Sequence, residues 1–152
     1  DVGSINVCKY YGSDFIIVGN SAGNCGALAK DIGLESATGS YVTNWDDDDI
    51  YYRHAAQSLF DAANGYDIGL CDVNHFMPLS GENGWRQLLP ADVPEFGKWS
   101  QMCAAVKLDL AKSVKMNTSG GRGTDWRWYL QLIKYNPRIN KIDTVIGDIV
   151  VD

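Results

Sequence analysis

The order of patterns in this chain predicts an α/β fold built on one mixed, mainly parallel sheet. Three observations carry that prediction. A compact apolar run at residues 14–20 reads as a buried strand, residues 27–36 read as an amphipathic helix, and a second strand at 41–45 ends in four consecutive aspartates, Asp46-Asp47-Asp48-Asp49. Strand, helix and strand in that order fit one right-handed crossover of a parallel sheet. The acidic run then stands at the carboxyl end of its strand, the edge where open α/β sheets place their ligands.

Each element has its own signal. Phe15, Ile16, Ile17 and Val18 are unbroken and bounded by Gly19 and Asn20, as in a strand covered on both faces. In the helix, Ala27, Leu28, Ile32 and Leu34 recur at helical spacing around Lys30, Asp31 and Glu35, and the pattern stops at Ala37-Thr38-Gly39. A second helix over 54–63 puts Ala55, Ala56, Leu59, Phe60 and Ala63 on one face. Residues 66–73 alternate like a half-buried strand, at an edge or antiparallel. From 77 to 98, prolines and glycines mark a loop-rich excursion over a site. The stretch 99–114 is too irregular to assign, and 118–123 is a Gly-rich loop. Residues 125–135 form the clearest late helix, with Trp128, Tyr129, Leu132 and Ile133 as its apolar face, and 141–151 close the chain as one or two short strands around Gly147.

Composition narrows the function. The 152 residues suit a single domain with a real core. A formal charge of −6 and a pI near 4.7 leave no basic stripe to neutralise a nucleic-acid backbone. Cys8, Cys25, Cys71 and Cys103 are scattered without a paired motif, and read as small buried hydrophobes in a reducing compartment. No apolar run reaches the roughly 20 residues of a membrane span, and residues 1–4 are not a signal peptide. The expected location is the cytoplasm, including the cytoplasmic membrane surface.

The aspartates carry the chemistry. Carboxylates two apart, Asp46 and Asp48, can reach one side where a strand gives way to a turn, and are hard ligands for Mg²⁺ or Mn²⁺ gripping a diphosphate. Asp49 can join them or cap the helix that follows. Acidic residues also favour a helix N-terminus on electrostatic grounds alone, at about 0.3–1 kcal/mol each. Two would serve that purpose, so four favour the metal. His54 and His75 read as solvated or structural, and Trp85, Trp99, Trp126 and Trp128 as core or lid residues, some able to stack on sugar faces. The run 119–123 lacks a Lys-Ser/Thr ending and is not a P-loop.

A resemblance enters on these residues. Gly23-Asn24-Cys25-Gly26 and the helix to Leu34, then Ala37-Thr38-Gly39-Ser40-Tyr41-Val42, then Trp45 and the aspartates to Ile50, resemble family 2 glycosyltransferases of the A-type fold. In that family N-x-G, R-N-x-G and A-x-G-x-Y-[IV] lead to a D-x-D motif followed by another Asp. Asp1-Val2-Gly3-Ser4 resembles the tail of its D-[DN]-G-S motif, and Gly123-Thr124-Asp125 is similar to its G-E-D helix start. Lys30-Asp31 stands for the usual Arg-Asn, and Thr124 for the usual Glu.

The resemblance implies a nucleotide-diphospho-sugar transferase-like three-layer sandwich, N-terminally truncated, because the family's first strand and helix have no counterpart before Asp1. It implies inverting transfer of a sugar from a nucleotide diphosphate, a UDP-sugar first among candidates, to a carbohydrate or lipid-linked acceptor. Asp46, Asp48 and Asp49 would hold Mn²⁺ or Mg²⁺. Asp1, Gly3, Ser4, Lys30 and Asp47 would bind the donor, and Arg122 and Trp126 would serve the acceptor or a lid. Asp125 would be the catalytic base, with a helix N-cap as its competing role. A homodimer covering the exposed sheet is expected. Two rivals stand beside this reading: a catalytically silent binding module with the same acidic edge, and a nucleotidyltransferase, which would normally add a basic Gly-rich loop.

Overall fold

A computed structural model of the chain describes residues 27–77, 85–89, 99–116 and 123–150. The expected strand at 14–20, and with it the parallel crossover, lies outside these residues. The described architecture is mixed α/β. In chain order it runs α1 (Ala27–Ser36), β1 (Tyr41–Val42), β2 (Ile50–Tyr51), α2 (Ala55–Ala63), β3 (Ile68–Met77), β4 (Trp85–Leu89), a 3₁₀ turn (Gln101–Cys103), β5 (Ala104–Lys107), α3 (Leu108–Lys112), α4 (Thr124–Leu132), a 3₁₀ turn (Ile133–Tyr135) and β6 (Ile139–Val150).

The strands form one sheet in the order β1-β5-β3-β6-β2, with β4 also paired to β3. Among the described residues β3 and β6 run parallel, and the other pairs are antiparallel. Among the described residues the expectation of a mainly parallel sheet is therefore corrected to a mixed, mostly antiparallel one. The physical reason lies in β3. Its pattern predicts a half-buried strand, at an edge or antiparallel; it does run antiparallel to β4 and β5, but residues 68–73 are all buried and the strand pairs with three neighbours, so it is central. Gly69, Cys71 and Asp72 gave the run its alternating look. Cys71 is fully buried, Asp72 is buried beside Lys141 Nζ at 3.2 Å, and Gly69 is where α2 meets the sheet. The described part of the tail expected as one or two short strands, residues 141–150, belongs to a single strand of twelve residues, Ile139–Val150.

Helices appear where periodicity placed them, with faces rotated. In α1 the buried residues are Ala27, Asp31 and Leu34, while Leu28 is exposed. The Asp31 carboxylate turns inward to accept the Met116 N–H at 2.8 Å, which makes a charged residue part of the buried side. In α2 Ala62 takes the inner place assigned to Ala56, and Phe60 is about half exposed, edge-on to Tyr41 at 6.4 Å. In α4 Trp128, Tyr129 and Leu132 are buried as expected, while Ile133 is exposed in the 3₁₀ turn that ends it.

The core gathers Ile68, Leu70 and Val73 of β3, Ala104, Ala105 and Val106 of β5 and Ile146 of β6 with Ala55, Leu59, Ala62 and Ala63 of α2. Met102, Trp128 and Leu132 extend it towards α4. A Cβ on Gly69 would lie 2.2 Å from Ala63 N, so only glycine lets α2 end against the sheet. The stretch 99–114 holds a 3₁₀ turn, a strand and a short helix in quick succession, each too short to print a period. Cys71 and Cys103 are buried free thiols, as expected of small apolar residues. Among the described residues no helix is long and apolar enough to cross a membrane.

Candidate metal and nucleotide-sugar site

The four aspartates form the turn between β1 and β2. Its base is pinched shut. Trp45 and Tyr51 stack at 4.4 Å between ring centres, and the Tyr51 hydroxyl donates to the Asp46 carbonyl at 2.7 Å. The far side is tied down as well, because Asp49 Oδ1 accepts the Val150 N–H at 3.1 Å from the end of β6. Asp49 therefore holds a strand end. It does not cap α2, whose N-cap residue is His54 without a side-chain cap.

This turn overhangs the carboxyl end of the parallel pair β3 and β6, the edge where ligands were expected. A cavity of about 420 Å³ opens there, lined by Asp46, Asp48 and Asp49, by His75 of β3, Ile149 and Val150 of β6, Trp99, Ser100, and Gly123 and Asp125 at the start of α4. A smaller hollow of about 170 Å³ shares Asp46, Gly123 and Asp125 and adds Ala27, Lys30, Gln101, Met116 and Thr124. The two adjoin across these three shared residues and are treated as lobes of one cleft. The larger is acidic with an aromatic wall, and the smaller meets the first residues of α1 and α4 and the Lys30 ammonium.

The predicted residues fall into groups. Asp46, Asp48, Asp49 and Asp125 share the larger lobe, and Lys30 lies in the smaller. Asp47 is exposed and lines neither lobe. Trp126 is half-buried and stacked on Tyr129 at 5.9 Å, outside both linings. Asp1, Gly3, Ser4 and Arg122 lie outside the described residues. His54 is exposed, its Nε2 3.0 Å from the Val145 carbonyl, away from the cleft.

Electrostatics separates the carboxylates. Burial, reinforced by Asp48 and Asp46, pushes Asp49 up to about 6 from its ordinary value. Burial likewise raises Asp125, against the N–H of Trp126, which donates to its Oδ1 at 2.8 Å, and the nearby charge of Lys30. Asp125 occupies the first turn of α4, while the N-cap itself is Gly123 in the left-handed region at φ 76°. Asp46 is paired: Lys30 Nζ lies 2.5 Å from its Oδ1, and Gln101 Nε2 3.4 Å from its Oδ2.

Among the described residues no group of three or more acidic, His or Cys side chains converges tightly enough to cage an ion unaided. Divalent ions that accompany nucleotides use one or two protein carboxylates and complete their shell with phosphate oxygens and water. Asp48 and Asp49, with Asp46 on release from Lys30, fit that chemistry.

Three lining residues were missed or underrated. His75, read as structural, faces the larger lobe, and burial holds its imidazole below the usual range. Trp99 is 95% buried, stands on the lobe wall, and among the described residues its Nε1 has no hydrogen-bond partner. Gln101 had no sequence signal at all, since an isolated Gln in an irregular stretch announces nothing. No protein-family model matches this sequence, and no curated protein does.

Proposed function

We propose that this chain is a metal-dependent inverting glycosyltransferase of the A-type fold, moving a sugar from a nucleotide diphosphate to an acceptor hydroxyl. The single observation that carries the reading is the meeting of Asp46, Asp48 and Asp49 with Asp125 in one cavity, from segments far apart in the chain. A cation seat beside a half-buried carboxylate is what such a transfer needs.

The smaller lobe suits the diphosphate, because Lys30 and the first N–H groups of α1 and α4 offer positive charge there. The larger lobe suits the sugar and acceptor, with Trp99 contributing an apolar edge to its wall. A divalent ion held by Asp48 and Asp49, and by Asp46 once freed, would neutralise charge on the departing diphosphate. Asp125 accepts the proton of the acceptor hydroxyl as its oxygen bonds to the anomeric carbon and the bond to the diphosphate oxygen breaks, which inverts that centre. The elevated proton affinity of Asp125 makes it a stronger base than a surface carboxylate. His75, kept neutral by its surroundings, can orient a hydroxyl without adding charge.

The test is turnover of a panel of nucleotide sugars with Mn²⁺. Asp125→Asn should lower kcat by about 10²–10⁴-fold while leaving nucleotide binding in place. Loss of binding with loss of turnover would assign Asp125 to structure instead. The pairing of Asp46 with Lys30 favours a second reading, a silent module whose acidic edge is internally neutralised. That reading predicts no Mn²⁺-dependent binding of any nucleotide diphosphate.

A further inference from the structure

We propose that Lys30 is a gate: it occupies the cation position at Asp46 in the resting protein and yields it only when a divalent ion and a nucleotide diphosphate arrive together. The inference rests on the transferase reading of this cleft, and concerns the order in which its ligands can bind.

Three observations lead to it. Lys30 projects from the first turn of α1 with a side chain only 15% exposed, and its Nζ sits 2.5 Å from Asp46 Oδ1. The other oxygen of Asp46 is taken by Gln101 Nε2, so both are engaged within the protein. Asp46 also borders both lobes, whereas Lys30 borders only the smaller. An ion entering the larger lobe cannot use Asp46 while the ammonium stays, and expelling Lys30 into a half-closed hollow with no new anion would leave its charge uncompensated.

A diphosphate in the smaller lobe removes that obstacle. Because Lys30 lines that lobe, its flexible four-carbon stem can turn to a phosphate oxygen there, so Lys30 exchanges a carboxylate for a phosphate while Asp46 exchanges an ammonium for the ion. Every charge keeps a partner through the exchange. Gln101 adds an independent sign that the resting clasp is not fully satisfied. It lines the smaller lobe from a 92% buried position, and among the described residues its buried Oε1 has no hydrogen-bond partner, an unsatisfied acceptor that a rearrangement around Asp46 can relieve. The consequence is synergy: ion and nucleotide each bind weakly alone and strengthen one another by the same factor.

Calorimetric titration separates the possibilities, using Mn²⁺ alone, UDP alone, and Mn²⁺ at saturating UDP, on the wild type, Lys30→Met and Lys30→Arg. In the wild type UDP should raise Mn²⁺ affinity by about tenfold or more. Lys30→Met should bind Mn²⁺ alone about tenfold more tightly than the wild type, bind UDP alone more weakly, and lose most of the synergy. Lys30→Arg, whose forked head grips a carboxylate more firmly, should bind Mn²⁺ alone no more tightly than the wild type; it decides the matter if the Met variant does not fold. Equal Mn²⁺ affinity and equal synergy in the wild type and Lys30→Met, or tighter Mn²⁺ binding by Lys30→Arg, overturns the gate and leaves the metal site standing. Absence of Mn²⁺ binding in every variant, with and without UDP, overturns the site reading and the gate with it.

Discussion

Asp49 is pulled two ways. Its N–H bond from Val150 favours the carboxylate, while burial and the charges of Asp48 and Asp46 favour the acid, and the second pull wins with a value of about 6. A carboxyl whose folded value lies above its unfolded one stabilises the fold when protonated. That contribution is complete below about pH 4 and is lost as pH rises through about 6. The urea midpoint should therefore fall across that window, and Asp49→Asn, which keeps an acceptor for Val150, should flatten the fall. The same proton competes with a divalent ion, so Mn²⁺ affinity should weaken below about pH 6 in the wild type. Lys30 and Gln101 teach a related lesson. The Asp run was legible as a concentration of like charge, but which aspartate is engaged and by what depends on residues brought from α1 and from the turn before β5.

Among elements, the closest contacts fix the geometry of the cleft. A methyl on Gly69 would have to displace the end of α2, and Gly69→Ala should cost about 1–3 kcal/mol in chemical denaturation. Gly147→Ala should behave likewise, since its Cβ would fall 2.2 Å from Met102 Cε and 2.3 Å from the Ile50 carbonyl. That contact joins β6 to β2, the strand that follows the acidic turn. Tyr51→Phe keeps the stack on Trp45 but frees the Asp46 carbonyl. It should cost about 1 kcal/mol and weaken Mn²⁺ binding more than stability, because the turn loses its clasp. Periodicity found α1, α2 and α4 because each is long enough to repeat. It missed the inward turn of Asp31, since a carboxylate that answers a distant N–H looks in sequence like a solvated one.

At the scale of the molecule, the parallel pair β3 and β6 is the axis. β3 carries His75, β6 carries Ile149 and Val150, and the cleft opens at their shared carboxyl end. Among the described residues β1 and β2 each have a single strand partner, and β1 is only two residues long. Backbone groups on such edges invite pairing with another chain. A homodimer is the outcome expected of light scattering at high protein concentration, and a monomer overturns it.

What the sequence determined by itself is local. Repeats of apolar residues at 27–36, 54–63 and 125–135 specify helices, and four adjacent like charges specify a place that needs compensation, because both signals are complete within a dozen residues; the strand expected at 41–45 is only Tyr41–Val42. What the tertiary structure alone decided is who meets whom: that β3 is central, that β6 lies parallel to it, that Asp125 shares a cavity with the aspartate turn, and that Lys30 supplies the compensating charge. Those pairings depend on burying surface and matching charge between segments far apart in the chain, and no local pattern records them.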